Sequence, residues 1–133
     1  MGDLSKASGR GAVNAEVILL LKGETRITSI ITMGAVDNLG LKEGVNAYAI
    51  IKASSIIIAQ ELLDAKLSAR NILPGKITQL IEGPVSTEVD LEIAEGNVIS
   101  AVITHGSSEK LALKEGDTAC ALFKASSVII GVN

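Results

Sequence analysis

Residues 11–60 of this chain can be laid on residues 83–132 without a gap, and this internal repeat limits the possible folds more than any other feature. "GAVNAEV" falls on "GPVSTEV", "ITSIIT" on "ISAVIT", "LGLKEG" on "LALKEG" and "KASSIII" on "KASSVII". Thr32 and Thr104, like Lys52 and Lys124, are thus 72 residues apart. A period this long marks a duplicated small domain, because solenoid units repeat every 20–50 residues or so. The division predicted is a first copy over residues 1–62 and a second over residues 63–133.

Each copy reads as strands. In the second, Val85, Thr87, Val89, Leu91 and Ile93 alternate with Ser86, Glu88, Asp90 and Glu92, the period of a half-buried strand. Glu95-Gly96-Asn97 supplies a turn into "VISAVIT", and "SSEKLAL" reads as a short helix with a serine cap. With the opening stretch "SARNILPGKITQLIEG", this makes five strands and a short helix between the third and fourth, the order of an OB-like barrel. The fold class expected is all-β, with tandem OB-like five-stranded barrels. The first copy has no counterpart of "SARN" and begins with the Gly/Ser-rich "MGDLSKASGRG", expected to be poorly ordered. The first barrel is therefore expected to lack its own opening strand, with strand exchange between barrels or chains as the economical remedy.

Composition narrows function. Hydrophobic residues are 47% of the 133 but aromatics only 2%, so the core is aliphatic and Phe123 and Tyr48 cannot make a base-stacking platform. A net charge of -3 also speaks against nucleic acid, so no such partner is expected. One His and one Cys, unmatched between copies, assemble no acid–base or nucleophile–base set, and no enzyme or cofactor is expected. Cys120 reads as a small core residue. No apolar run reaches membrane-spanning length and the N-terminus has no apolar signal core, so a cytoplasmic protein without a membrane partner is expected.

The polar motifs inside the apolar runs carry the chemistry. Lys-Ala-Ser-Ser offers an ammonium, two hydroxyls and several backbone N–H groups within four residues, and no carboxylate. Thr32 and Thr104 end the third strand of each copy shortly before Gly34 and Gly106, and Ser68-Ala69-Arg70 adds a hydroxyl and a guanidinium. Together these form a donor-only nest for a small tetrahedral dianion. Molybdate, tungstate and sulfate only accept hydrogen bonds at neutral pH, whereas phosphate retains a proton that needs an acceptor. Taken alone, each Lys-Ala-Ser-Ser reads more simply as a solvated strand end, where an outward lysine discourages edge pairing. Its recurrence beside a strand-end threonine favours the anion.

"SARNILPGKI", "EGPVSTEV" and "VITHGSSEKLALKEGDTACALFKASSVIIGV" resemble the molbindins, the small molybdate-binding family built on a TOBE-type OB barrel; "GAVNAEV", "ITSIIT", "LGLKEG" and "IIKASSIII" resemble it in the first copy. The resemblance covers about residues 11–132 and is to two-copy members, here with a truncated first copy. It implies a homo-oligomer, a trimer favoured, that binds molybdate or tungstate at interfaces between barrels for storage or homeostasis. The oxyanion set it implies is Ser68, Ala69, Arg70, Thr104, Lys124, Ala125 and Ser126, with Thr32, Lys52, Ala53 and Ser54. Lys124, Ser126 and Thr104 are expected to act together, as are Lys52, Ser54 and Thr32. The alternatives are an OB-fold interaction module, or the ligand-sensing part of a molybdate-responsive system.

Overall fold

A computed structural model describes residues 2–8 (as backbone), 13–22, 25–61, 66–94 and 96–133. They form two compact units: residues 1–51 with 124–133, and residues 52–123. The units differ from the sequence copies, because each copy ends in the other's unit.

The first unit holds β1 (Gly2–Ser8), β2 (Asn14–Leu20), β3 (Arg26–Thr32), α1 (Met33–Leu39) and β4 (Asn46–Ile51). Its fifth strand is β10 (Val128–Gly131), which pairs antiparallel with β4 to give the order β10-β4-β1-β2-β3. The second unit holds β6 (Asn71–Glu82), β7 (Ser86–Ala94), β8 (Asn97–Thr104), α2 (His105–Leu111) and β9 (Thr118–Phe123). Its fifth strand is β5 (Ile57–Ala59), contributed by the first copy, in the order β5-β9-β6-β7-β8. Each sheet curls so that its outer strands approach each other, as an OB-like barrel requires. In the first unit the buried Ser29 hydroxyl spans that seam and donates to the Val128 carbonyl at 2.8 Å.

The opening strand expected to be missing is present. β1 pairs with β2 from Asp3↔Leu20 to Ser8↔Glu16 and with β4 at Gly2↔Ala47 and Asp3↔Asn46. It matches β6 down to a register shift: the irregularity at Leu4/Lys6 recurs at Ile77/Gln79. Compared with β6, which meets β9 from Asn71 to Lys76, it is shortened. A Gly/Ser-rich stretch has poor strand propensity, but the β2 and β4 edges offer unpaired N–H and C=O groups that any extended backbone satisfies. Residues 9–12, in the same Gly/Ser-rich stretch, lie outside the described residues. Strands are exchanged within the chain, but they are the last of each copy.

The cores repeat with the sequence: Val17 and Val89, Leu19 and Leu91, Leu41 and Leu113, and Ala47 and Ala119 are buried in equivalent places. One cross-strand pair is filled differently. Tyr48 lies opposite Gly131 in the first unit, and a Cβ on Gly131 would collide with the phenol ring. The second unit places Cys120 opposite Ala59, two small residues for one large and none. Cys120 is half-buried there, at the sheet surface rather than in the core.

The short helices begin earlier than the sequence pattern suggests. α2 starts at His105 and is capped by Thr104, not by a serine of "SSEKLAL". Gly40 ends α1 at φ 63°, a left-handed conformation that costs glycine little. Ala112 ends α2 at φ 50°, where its Cβ is strained by about 1–2 kcal/mol.

Ala112→Gly is therefore expected to raise stability by about 0.5–1 kcal/mol and Gly40→Ala to lower it by about as much, read from urea midpoints. Gly131→Ala should cost about 1–3 kcal/mol through the Tyr48 collision. Adding Tyr48→Cys should recover part of that loss by recreating the pair used in the second unit.

Candidate functional site

Both Lys-Ala-Ser-Ser segments fold alike, and neither lies within a strand. Lys52 and Lys124 are extended, with φ/ψ of −64°/127° and −77°/144°, and each leads into a single 3-10 turn, Ala53–Ser55 or Ala125–Ser127. The turns are closed by Ser55 N–H to the Lys52 carbonyl at 2.8 Å and Ser127 N–H to the Lys124 carbonyl at 2.9 Å. The first unit ends at Ile51 and resumes at Lys124, while the second runs from Lys52 to Phe123. Lys-Ala-Ser-Ser is thus the crossover at which the chain leaves one barrel for the other. A strand that must change sheets needs a break in its ladder, and a polar turn supplies it at little cost in burial. Lys52, Ser54, Lys124 and Ser126 are exposed, Ala53 is half-buried and Ala125 is buried. Neither lysine makes an ion pair among the described residues.

Thr32 and Thr104 occupy the strand-to-helix corners. The Thr32 hydroxyl oxygen accepts from the Ala35 N–H, and that of Thr104 from the Ser107 N–H, both at 3.1 Å. A hydroxyl keeps its proton while accepting. Thr104 donates that proton to Ser107 Oγ at 2.8 Å, which leaves the Ser107 proton for an outside acceptor.

The crossover decides which groups meet. Ser54, Thr104, Ser107 and Lys110 line one cleft of about 480 Å³ in the second unit, beside apolar Ile57, Val102 and Leu111. No carboxylate lines it. The strand-end threonine of the second copy is therefore served by the Lys-Ala-Ser-Ser of the first. Reciprocally, the turn Ala125–Ser127 packs against β3, the strand that Thr32 ends, in the first unit. Within the second unit, Thr104 therefore shares its cleft with Ser54 of the other copy, while Lys124 and Ser126, its expected companions, belong to the first unit. Ser68, Ala69 and Arg70 precede β6, with Ser68 and Arg70 exposed and Ala69 half-buried, and none of the three lines the cleft.

Ser107 and Lys110 escaped the sequence reading. The available signal was spacing: Ser107 follows the capping Thr104 by three residues, and Lys110 lies one helical turn further. Comparing copies hid them, because the first copy has Ala35 and Asn38 there.

One face of the second unit, away from the cleft, is acidic. Glu88, Asp90 and Glu92 line the outward face of β7, and a hydrogen bond with Asp90, followed by the charge of that carboxylate, holds the Glu88 carboxyl above its usual value. Ser100 donates to Asp90 at 2.8 Å across the same face. Among the described residues, no group of three His, Cys, Asp or Glu side chains could hold a bare metal ion. No helix of the described residues is long and apolar enough to cross a membrane.

The TOBE domain family matches residues 5–58 and 67–130. The chain belongs to that family. Among sequence relatives, the molybdenum-pterin-binding protein MopA of Rhodobacter capsulatus is 43% identical over 122 residues, covering 92% of this chain and 46% of MopA. The molybdenum transport protein ModE of Azotobacter vinelandii is 40% identical over 92% of this chain and 45% of its own length. The chain thus spans less than half the length of these two relatives. The solved structure of the cytoplasmic molybdate-binding protein ModG with molybdate bound superposes with a TM-score of 0.94 at 36% identity, covering 99% of this chain and 93% of that one. Tandem TOBE repeats, each a curled five-stranded sheet with one short helix, are therefore the architecture of the protein.

If the exchanged grouping holds, Ser54→Ala and Thr104→Ala should be non-additive in a double-mutant cycle on anion affinity, coupled by at least about 0.5 kcal/mol. Ser54→Ala and Thr32→Ala should add.

Proposed function

We propose that the protein reversibly binds molybdate or tungstate, without catalysis, in the cytoplasm. The observation that carries this reading is the cleft of the second unit, where three hydroxyl side chains and a lysine converge with no carboxylate in the lining. A fully deprotonated tetrahedral dianion can accept from Ser54, Ser107 and Lys110, while Thr104 gives its proton to Ser107 Oγ and so orients that hydroxyl. Hydrogen bonds to a charged acceptor contribute about 1.5–3 kcal/mol each, against about 1 for neutral pairs. Monohydrogen phosphate would present an O–H where the lining has no anionic acceptor. The binding set is Lys52, Ala53 and Ser54 with Thr104, and in the first unit Lys124, Ala125 and Ser126 with Thr32. Ser68, Ala69 and Arg70 act from a neighbouring barrel in a homo-oligomer, a trimer of two-barrel chains being favoured. The molybdate bound to ModG, whose whole fold this chain shares, supports the ligand class.

The role proposed is intracellular storage or buffering, with neither nucleic acid nor membrane as a partner. A second reading has a specific observation behind it: the chain covers under half of MopA and ModE, which also suits a ligand-sensing part of a molybdate-responsive system.

Isothermal titration with molybdate, with sulfate and phosphate as competitors, tests the proposal. Tight binding undisturbed by phosphate is expected, and Lys52→Ala together with Lys124→Ala should weaken it by tenfold or more, about 1.4 kcal/mol. No binding by the unaltered chain, or unchanged affinity in the double variant, would overturn it.

A further inference from the structure

We infer that the two units are unequal oxyanion sites, and that Lys110 is the residue that makes them so, by placing an ammonium in the lining of the cleft of the second unit. The inference rests on the proposed oxyanion function and deepens it. Lys110 sits in the last turn of α2, and its side chain lines the same cleft as Ser54, Thr104 and Ser107. It makes no ion pair among the described residues. Glu109, the adjacent carboxylate, is turned to His105, whose Nε2 lies 2.9 Å from Glu109 Oε1, and neither residue lines the cleft.

The counterpart of Lys110 in the first copy is Asn38, a neutral side chain on the equivalent helix. The two copies agree in Lys-Ala-Ser-Ser and in the strand-end threonine, so these shared groups cannot distinguish the sites. Lys110 can. A flexible ammonium at the rim of a partly apolar cleft interacts with a dianion through a lower dielectric than bulk water, and charge doubles the effect relative to a monoanion. Its contribution is electrostatic, so it falls as salt screens the exposed rim, with a decay length of about 10 Å at 0.1 M. The second unit is thereby expected to fill first as molybdate rises, and the first unit to provide a weaker reserve.

A structural role is the competing account, since a lysine in the last turn also complements the helix dipole. That role would change melting temperature and leave anion affinity alone, which separates the two.

The test is titration of the full chain with sodium molybdate at low and moderate ionic strength, comparing the unaltered protein with Lys110→Gln, Lys110→Arg and Asn38→Lys. Lys110→Gln should weaken the tighter class of sites by about three- to tenfold at low salt and flatten its salt dependence. Lys110→Arg should retain both, and Asn38→Lys should strengthen the weaker class. If the unaltered chain binds molybdate but Lys110→Gln leaves the isotherm and its salt dependence unchanged, this inference is overturned while the proposed function stands. A fall in melting temperature without a change in affinity also overturns it. If the unaltered chain binds no molybdate, the proposed function falls, and this inference with it.

Discussion

Each barrel is completed by a strand from the other half of the sequence, and the remaining features depend on that pairing. β4 takes β10 as its neighbour, and β9 takes β5, through antiparallel ladders that satisfy backbone groups otherwise left on a sheet edge. An unpaired edge is a template for uncontrolled association, so exchange between duplicated copies meets the need within one chain. The buried hydrogen bond from Ser29 to the Val128 carbonyl ties the exchanged strand to the far side of its sheet.

The exchange also explains why lysine and serine interrupt two strongly apolar runs. The chain needs a turn where it passes from one sheet to the next, and a turn at the surface tolerates polar groups that a strand interior would not. The same turn delivers the exposed Ser54 hydroxyl to the corner where another strand ends in Thr104. A structural necessity and a donor cluster therefore coincide at four residues. Thr104 has a similar double character: its hydroxyl oxygen caps α2, and its proton goes to Ser107 Oγ and orients that hydroxyl.

Divergence between the copies is informative because the fold has held the rest constant. The pair Tyr48–Gly131 corresponds to Cys120–Ala59, two small side chains in place of one large ring and none. Gly40 has become Ala112 despite the left-handed backbone, a strain the second unit tolerates. Ala35 and Asn38 have become Ser107 and Lys110, which face the cleft. The first two changes alter packing and conformational energy; the last alters what the cleft offers a ligand.

The sequence by itself determined the duplication, the alternation that makes β7 half-buried, the aliphatic core and the donor-rich composition of the recurring motifs. Each is a local or periodic property, visible wherever side-chain pattern and backbone period agree. Only the tertiary structure decided that Gly2–Ser8 is a strand, because its propensity is poor and two waiting edges recruit it. Only it decided that Ser54 meets Thr104 rather than Thr32, because sequence repeats record which residues correspond and not which strand completes which sheet. Ser107 and Lys110 belong to the same class: their chemistry was legible, but a shared cleft is set by the curl of one sheet and the direction of one short helix.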